Sequence, residues 1–390
     1  MIHPGTRSLL ETARTLEPVI TAHRDEAERN RQLSRPVFEA LADAGLFKLF
    51  VPKILGGLES DLTTFVRVIE EVSRVDSAAG WCLSNGAAHG RMAGFLRENE
   101  AGVIFGHPHV AVAGAATATG RAVVAPGGFR VTGRWAYGSG ITHSDWVYCN
   151  AVVYEGDQPR PEADGINQVR TLLVPIADCE IVDTWHVGGL RGTGSFDFVI
   201  DDVFVPEERT FFAFAFTPAP VWPGTLYALP SFSVYPLSIA AVPLGLARAA
   251  IDALMELAQA KTPTGSPSLL RERASVQSNI ARAEALVRAA RALVLEVAEE
   301  LWETTGRTGE TPMRLRASVR LACAHAVVSS AQAVDLMYTA GGATSLREEN
   351  RLERLFRDVH AAAQHLAVIP HNFELAGKVL LGMNPGTLRF

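Results

Sequence analysis

The chain has 390 residues, 48% of them hydrophobic, and a formal net charge of -6. That length exceeds one ordinary hydrophobic core, so two or three domains are expected, and basic residues scattered among acids form no stripe for a phosphate backbone, which argues against nucleic acid. Four cysteines far apart with no CxxC (Cys82, Cys149, Cys179, Cys323) indicate neither a zinc site nor a disulfide framework and suit reduced thiols in the cytoplasm.

The first block, residues 1–109, reads as an all-α domain. Its start carries Glu11, Glu17, Asp25 and Glu26, which does not suit a basic leader followed by an apolar segment, so no export signal is expected. Ser34-Arg-Pro36 resembles an N-cap, Phe38 and Leu41 line one helical face, and Gly45 stands where that helix would end. Asp76-Ser-Ala-Ala-Gly-Trp81 opens another helix running towards His89. Residues 110–210 change character. Phe129 to Trp135 alternates, Trp146 to Tyr154 is β-branched and aromatic, Pro126-Gly127-Gly128 supplies a turn, and Thr171 to Pro175 and Phe196 to Val205 continue the strand signal.

Residues 211–237 read as a linker dense in aromatics, with Phe211, Phe212, Phe214, Phe216, Trp222, Tyr227, Phe232 and Tyr235. Such runs are ordinarily packing surface, and this one also suits the wall of an apolar cavity for an aromatic or polycyclic molecule. Residues 238–390 return to helix. Val276, Ile280, Ala283, Val287, Ala290, Val294, Val297 and Leu301 step by four and three, the period of a long bundle helix. Leu315, Val319, Ala322 and Ala326 begin a second such helix, and Leu352, Leu355, Phe356, Val359 and Ala362 a third. The Thr262-Pro-Thr-Gly-Ser-Pro267 segment is expected to be a loop. The apolar stretch around Ile239 to Ile251, interrupted by Pro243 and Arg248, falls short of the roughly 20 residues of a membrane span. Near the end, Arg354-Leu-Phe-Arg357-Asp358-Val-His360-Ala-Ala-Ala-Gln364-His365 reads as one amphipathic helix carrying an Arg-Asp pair and two histidines. His107-Pro-His109 and His360 have no carboxylate or third histidine at ligand spacing, so no metal is expected.

Several segments together resemble one family. Pro36 to Pro52, Trp185-His-Val-Gly188-Gly189-Leu-Arg191-Gly192-Thr-Gly194-Ser195, Asp201 to Pro206, Gly341-Gly342 and Arg357-Asp358 are similar to the acyl-CoA dehydrogenase fold over nearly the whole chain. The fold this implies is multi-domain α+β: an N-terminal helical domain, a middle small β-barrel or sandwich and a C-terminal four-helix bundle. GLRGTG is no dinucleotide fingerprint, since it precedes a strand.

Dehydrogenases of that family remove an α-proton with a glutamate on a late or an earlier bundle helix. Here no acid follows Asp358 until Glu374, and none lies between Glu208 and Asp252. The chain instead resembles the two-component (group D type) flavin-dependent monooxygenases on this fold, in which a histidine after the Arg-Asp pair and a serine in a Ser-Gly motif lie beside the flavin. That resemblance implies His365, Ser139 and His89 as catalytic residues. It also implies Ser139, Gly140, Arg191, Gly192, Gly341, Gly342, Arg357 and Asp358 as cofactor-binding. The cofactor would be FMNH2 or FADH2 from a separate NAD(P)H-flavin reductase, with O2 as oxidant, a C4a-hydroperoxyflavin on the path, an aromatic or polycyclic substrate and a homotetramer in which one subunit's bundle covers a neighbour's flavin. The rival readings are an acyl-CoA dehydrogenase or oxidase with a displaced base, and a bundle protein that binds without catalysis.

Overall fold

The start and stop signals of the first block become six helices in a computed structural model that describes residues 4–162, 165–213, 218–387 and 389–390. These are α1 (Pro4–Thr15), α2 (Glu17–Asn30), α3 (Arg35–Asp43), α4 (Leu62–Val75), α5 (Ser77–His89) and α6 (Glu98–Phe105). Asp61 caps α4 by accepting from the Thr64 amide, and Asp76 caps α5 by accepting from the Ala79 amide. Each such cap is worth about 1 kcal/mol. Asp76 also ends α4, so one residue turns the chain between the two helices. Ser34 occupies an N-cap position without a side-chain bond, and Gly45, at φ 70°, follows the end of α3 as its sequence signal requires.

The middle domain is one connected sheet: β1 (Val112–Ala125), β2 (Gly128–Gly138), β3 (Trp146–Glu155), β4 (Gln158–Pro159), β5 (Val169–Pro175), β6 (Glu180–Val182), β7 (Phe196–Pro206) and β8 (Thr210–Phe212). The strand order is β6-β7-β2-β1-β3-β5-β8, with β4 on β3, and β1 runs parallel to β3 while the other pairs are antiparallel. Alternation decides which face each side chain takes. On β3, Val147, Cys149, Ala151 and Val153 enter the sheet's own core, whereas Tyr148 points to a cluster with Met92, Phe95 and Phe105 of the helical block. The sheet is thereby fastened to the segment after α5 and to α6.

The remaining helices are α7 (Thr225–Ala228), α8 (Ser231–Ala260), α9 (Ala274–Thr308), α10 (Met313–Gly341), α11 (Arg351–Ala362) and α12 (His371–Leu380). The four-and-three spacing of α9 is realised: Val276, Ala283, Val287, Ala290, Val294, Val297 and Leu301 are buried. One hydrophobic cluster runs without a break from Phe38, Leu41, Phe65 and Ile69 through Leu237, Ile251 and Leu254 to Val294, Val319, Leu355 and Val359. The N-terminal helices and the bundle therefore share a core.

Three expectations shift at their ends. Phe211 and Phe212 are strand β8, paired to β5, and Phe232 and Tyr235 belong to α8, so the aromatic segment is not linker throughout. Phe214 and Phe216 lie outside the described residues. The apolar stretch around Ile239 is part of a 30-residue helix that is long and apolar enough to cross a membrane, yet 83% of its most apolar window is buried inside the protein. Its apolarity serves the core. Finally, α11 stops at Ala362 with Ala363 as its cap, which leaves His365 in the turn beyond the helix.

Candidate active site

Helix α5 sets one wall. Trp81, Asn85 and His89 are four residues apart, so they stand above one another on a single face. All three are buried. At the end of that face the His89 ring meets Tyr148 of β3 edge-on at 4.7 Å, and its Nδ1 lies 2.6 Å from the Val112 carbonyl. A carbonyl only accepts, so Nδ1 carries the proton. Burial pushes the His89 pKa down to about 4, and the ring is neutral near pH 7. Its Nε2 is therefore a bare lone pair, buried and without a partner.

The opposite wall is the turn after α11. The His365 ring stands edge-on to Trp81 at 5.8 Å and to Tyr235 of α8 at 5.4 Å. Here the wiring is reversed. The Ala367 amide donates to Nδ1 at 3.2 Å, and the desolvating walls push this pKa down to about 4, so the neutral ring carries its proton on Nε2. That nitrogen lies 3.3 Å from the Tyr235 hydroxyl, whose oxygen is 3.5 Å from Asn85 Oδ1. The Asn85 amide is oriented by its bond to the Trp81 carbonyl, 2.9 Å away.

Ser139 closes the third side, in the turn after β2. Its Oγ accepts from Trp81 Nε1 at 3.0 Å and lies 2.7 Å from Ser195 Oγ. Gly140 follows at φ 72°, a conformation that costs glycine nothing. Among the described residues, no carboxylate bonds or stacks against His365, Tyr235, Asn85, Trp81, Ser139 or Ser195.

The Arg-Asp pair occupies a different place. Asp358 is buried, accepts from the Leu190 amide at 2.6 Å and takes the Ser77 hydroxyl as its second donor. Burial raises its pKa to about 7 against those two donors. Arg357 forks onto Glu353 at 2.7 and 2.8 Å and also reaches Glu28 at 2.9 Å and the Gly188 carbonyl at 2.6 Å. Both side chains thus clamp the loop from Gly188 to Gly194 onto α11, α5 and α2. Leu190 is held there at φ 54°, an uncommon value for a branched residue. A side chain at Gly189 would strike the Arg357 carbonyl, and one at Gly192 would press on Ala78 and Ala27. Arg191 approaches Glu28 at 3.9 Å. Gly341 and Gly342 lie elsewhere, at the end of α10, where Lys261 Nζ donates to the Gly341 carbonyl at 2.6 Å.

Of the three histidines weighed as metal ligands, His109 pairs with Asp43 at 2.6 Å and His360 with Asp335 at 2.9 Å, while His107 accepts from the His109 amide at 3.2 Å. Trp81, Asn85, Tyr235 and Ser195 complete the constellation beyond the residues the sequence singled out as catalytic.

Comparison with known proteins gives the family. The acyl-CoA dehydrogenase N-terminal domain family matches residues 5–95 and the C-terminal domain family residues 237–370. The indole-3-acetate monooxygenase of Pseudomonas putida is 32% identical over 384 residues, covering 97% of this chain and 96% of that protein. The chain belongs to the flavin-dependent monooxygenases of acyl-CoA dehydrogenase fold. The oxygenase subunit HsaA of a flavin-dependent monooxygenase from Mycobacterium tuberculosis is 29% identical, with 97% of each chain covered. The structure of XiaF from a Streptomyces species, in complex with FADH2 and glycerol, superposes with a TM-score of 0.89 at 29% identity over 98% of this chain and 97% of that one. As a member of this family the protein is an oxidoreductase that uses reduced flavin and dioxygen.

Proposed function

We propose that the protein is the oxygenase component of a two-component system that hydroxylates a neutral aromatic or polycyclic molecule bearing a hydroxyl or N–H group. A separate NAD(P)H-flavin reductase supplies FMNH2 or FADH2. The observation that carries this reading is the neutral imidazole of His365, walled by Trp81 and Tyr235, where a dehydrogenase needs a carboxylate base.

The residues present suit a flavin. Ser139 is half-buried with an acceptor position to spare, and Tyr137 beside it is 70% exposed, edge-on to Trp185 at 6.1 Å. Ser139, Gly140 and the loop bearing Arg191 and Gly192 would hold the cofactor, with Arg357 and Asp358 fixing that loop. When bound, reduced flavin supplies the two electrons that activate dioxygen, one atom of which goes to substrate while the other leaves as water. His365 offers an Nε2–H donor to the reacting oxygen, and its low pKa keeps it from holding a positive charge there. His89 offers the opposite group, a bare Nε2 that accepts the substrate's hydroxyl or N–H proton in a hydrogen bond and orients the ring. Trp81, Tyr148 and Tyr235 keep water from the space between.

The same reading includes a homotetramer in which Gly341 and Gly342 of one subunit approach a neighbour's flavin. Large apolar side chains left exposed around the C-terminal turns support it: Leu346 at 67%, Leu366 at 60% and Leu381 at 79%. Four free cysteines, three of them buried, fit a reducing cytoplasm.

The test mixes the protein with reduced FMN or FAD anaerobically, then admits air together with simple phenols and indoles. The expected result is hydroxylated product with little hydrogen peroxide. Reduction of bound oxidised flavin by an acyl-CoA under anaerobic conditions would point to the dehydrogenase instead.

A further inference from the structure

Ser139 sits at the head of a buried row of hydroxyls. Its Oγ lies 2.7 Å from Ser195 Oγ, which lies 2.7 Å from Thr193 Oγ1, which lies 2.8 Å from the Leu190 carbonyl. Ser195 and Thr193 are 2% and 0% exposed, so no solvent enters the row. Each hydroxyl has one proton, and the two ends are fixed. The Leu190 carbonyl only accepts, so Thr193 donates to it. Ser195 must then donate to Thr193, and Ser139 to Ser195. At the other end the Trp81 indole only donates, and Ser139 accepts from it at 3.0 Å. Ser139 is left with no free proton and one free lone pair.

We propose that Ser195 and Thr193 are positioning residues that lock Ser139 as a hydrogen-bond acceptor, so that the site favours reduced over oxidised flavin. The inference rests on the proposed function, in which Ser139 helps to hold the flavin, and takes N5 as the flavin atom that Ser139 faces. Reduced flavin carries a proton on N5 and can donate to the remaining lone pair. Oxidised flavin presents a lone pair at N5, and two acceptors face each other. The clamp of Asp358 on the Leu190 amide holds the far end of the row, because the same residue supplies the terminal carbonyl. An exchange between the two redox forms is what a subunit fed by a separate reductase requires: spent flavin leaves and reduced flavin enters.

The experiment measures the dissociation constants of oxidised FMN and, anaerobically, of FMNH2 for the full-length protein and two variants, with thermal unfolding as a folding check. Ser195→Ala removes the acceptor for the Ser139 proton, which can then turn to oxidised N5. Thr193→Val keeps the side-chain shape and lets Ser195 donate back to Ser139, which frees the same proton. In both, the ratio of oxidised to reduced dissociation constants is expected to fall by about tenfold, mainly through tighter binding of oxidised flavin. A purely structural role would weaken both forms alike and leave the ratio as in the wild type, and that result would overturn the proposal. Wild-type protein that binds neither redox form would instead defeat the oxygenase reading itself.

Discussion

The end of α5, at His89, and the turn after α11, at His365, hold two imidazoles with the same charge and opposite wiring. In both, burial pushes the pKa to about 4. At His89 a backbone carbonyl takes the Nδ1 proton and leaves an acceptor, whereas at His365 a backbone amide occupies Nδ1 and leaves a donor. The backbone partner of the rear nitrogen thus decides what the front nitrogen can do. The difference supports the proposed roles, in which the donor would face developing negative charge on oxygen and the acceptor the proton-bearing group of a substrate.

Breaking the donor side should have the largest effect. His365→Ala is expected to keep its affinity for reduced flavin while product per flavin oxidised falls by about a hundredfold, the lower range for a group of this kind. Product and hydrogen peroxide measured together would show the balance passing to peroxide. Unchanged yield would remove His365 from the chemistry.

The shared charge state has a consequence for stability. A histidine that titrates near 6.5 when unfolded and near 4 when folded binds its proton preferentially in the unfolded chain. Its contribution is therefore complete above pH 6.5 and is lost as the pH falls towards 4, by about 3 kcal/mol for the fully buried His89. Denaturant unfolding between pH 7 and 4.5 should show a shallower loss in His89→Phe than in the wild type. Parallel curves would mean that His89 takes up its proton alike in the folded and unfolded chain.

The same variant sharpens the acceptor side. Loss of one buried hydrogen bond to substrate is worth about 1 kcal/mol, so KM for a phenol or indole should rise several-fold to tenfold, with flavin affinity retained. An unaltered KM would place the substrate elsewhere. Smallest of all, Tyr235→Phe removes the acceptor in front of His365 Nε2, and peroxide leakage is expected to rise by about threefold as the ring loses its orientation. Peroxide yield at the wild-type level would make Tyr235 mere wall.

Much of this was legible in the chain before any coordinates. Helix starts at Asp76, strand alternation along β2 and the heptad-like spacing of α9 depend on neighbours within one turn or one pleat, and they appear where the sequence places them. Ser139, His89 and His365 were legible only through motif resemblance; Ser139 and His365 both contact Trp81, and His89 lies two turns further along the same face of α5. What escaped depends on contacts between distant segments. Asp358 reaches Ser77 and Leu190 across 281 and 168 residues, so the Arg-Asp pair read as a cofactor contact while its side chains bind the Gly188 to Gly194 loop. Tyr235 was hidden in an aromatic run read as linker, because nothing local marks the start of α8 before Pro236. The Trp81, Asn85, His89 spacing of four was available and would have exposed the α5 face. The tautomers were not, since each is set by a backbone group on another segment or beyond a helix end.

The most direct measurement is nitrogen NMR of the flavin-free protein with labelled histidine, the two resonance sets assigned by His89→Phe and His365→Ala. At pH 7 the account predicts two neutral rings of opposite tautomer, Nδ1–H at His89 and Nε2–H at His365, each taking up a second proton only as the pH nears 4. One shared tautomer, or protonation of either ring near pH 6.5, would contradict it.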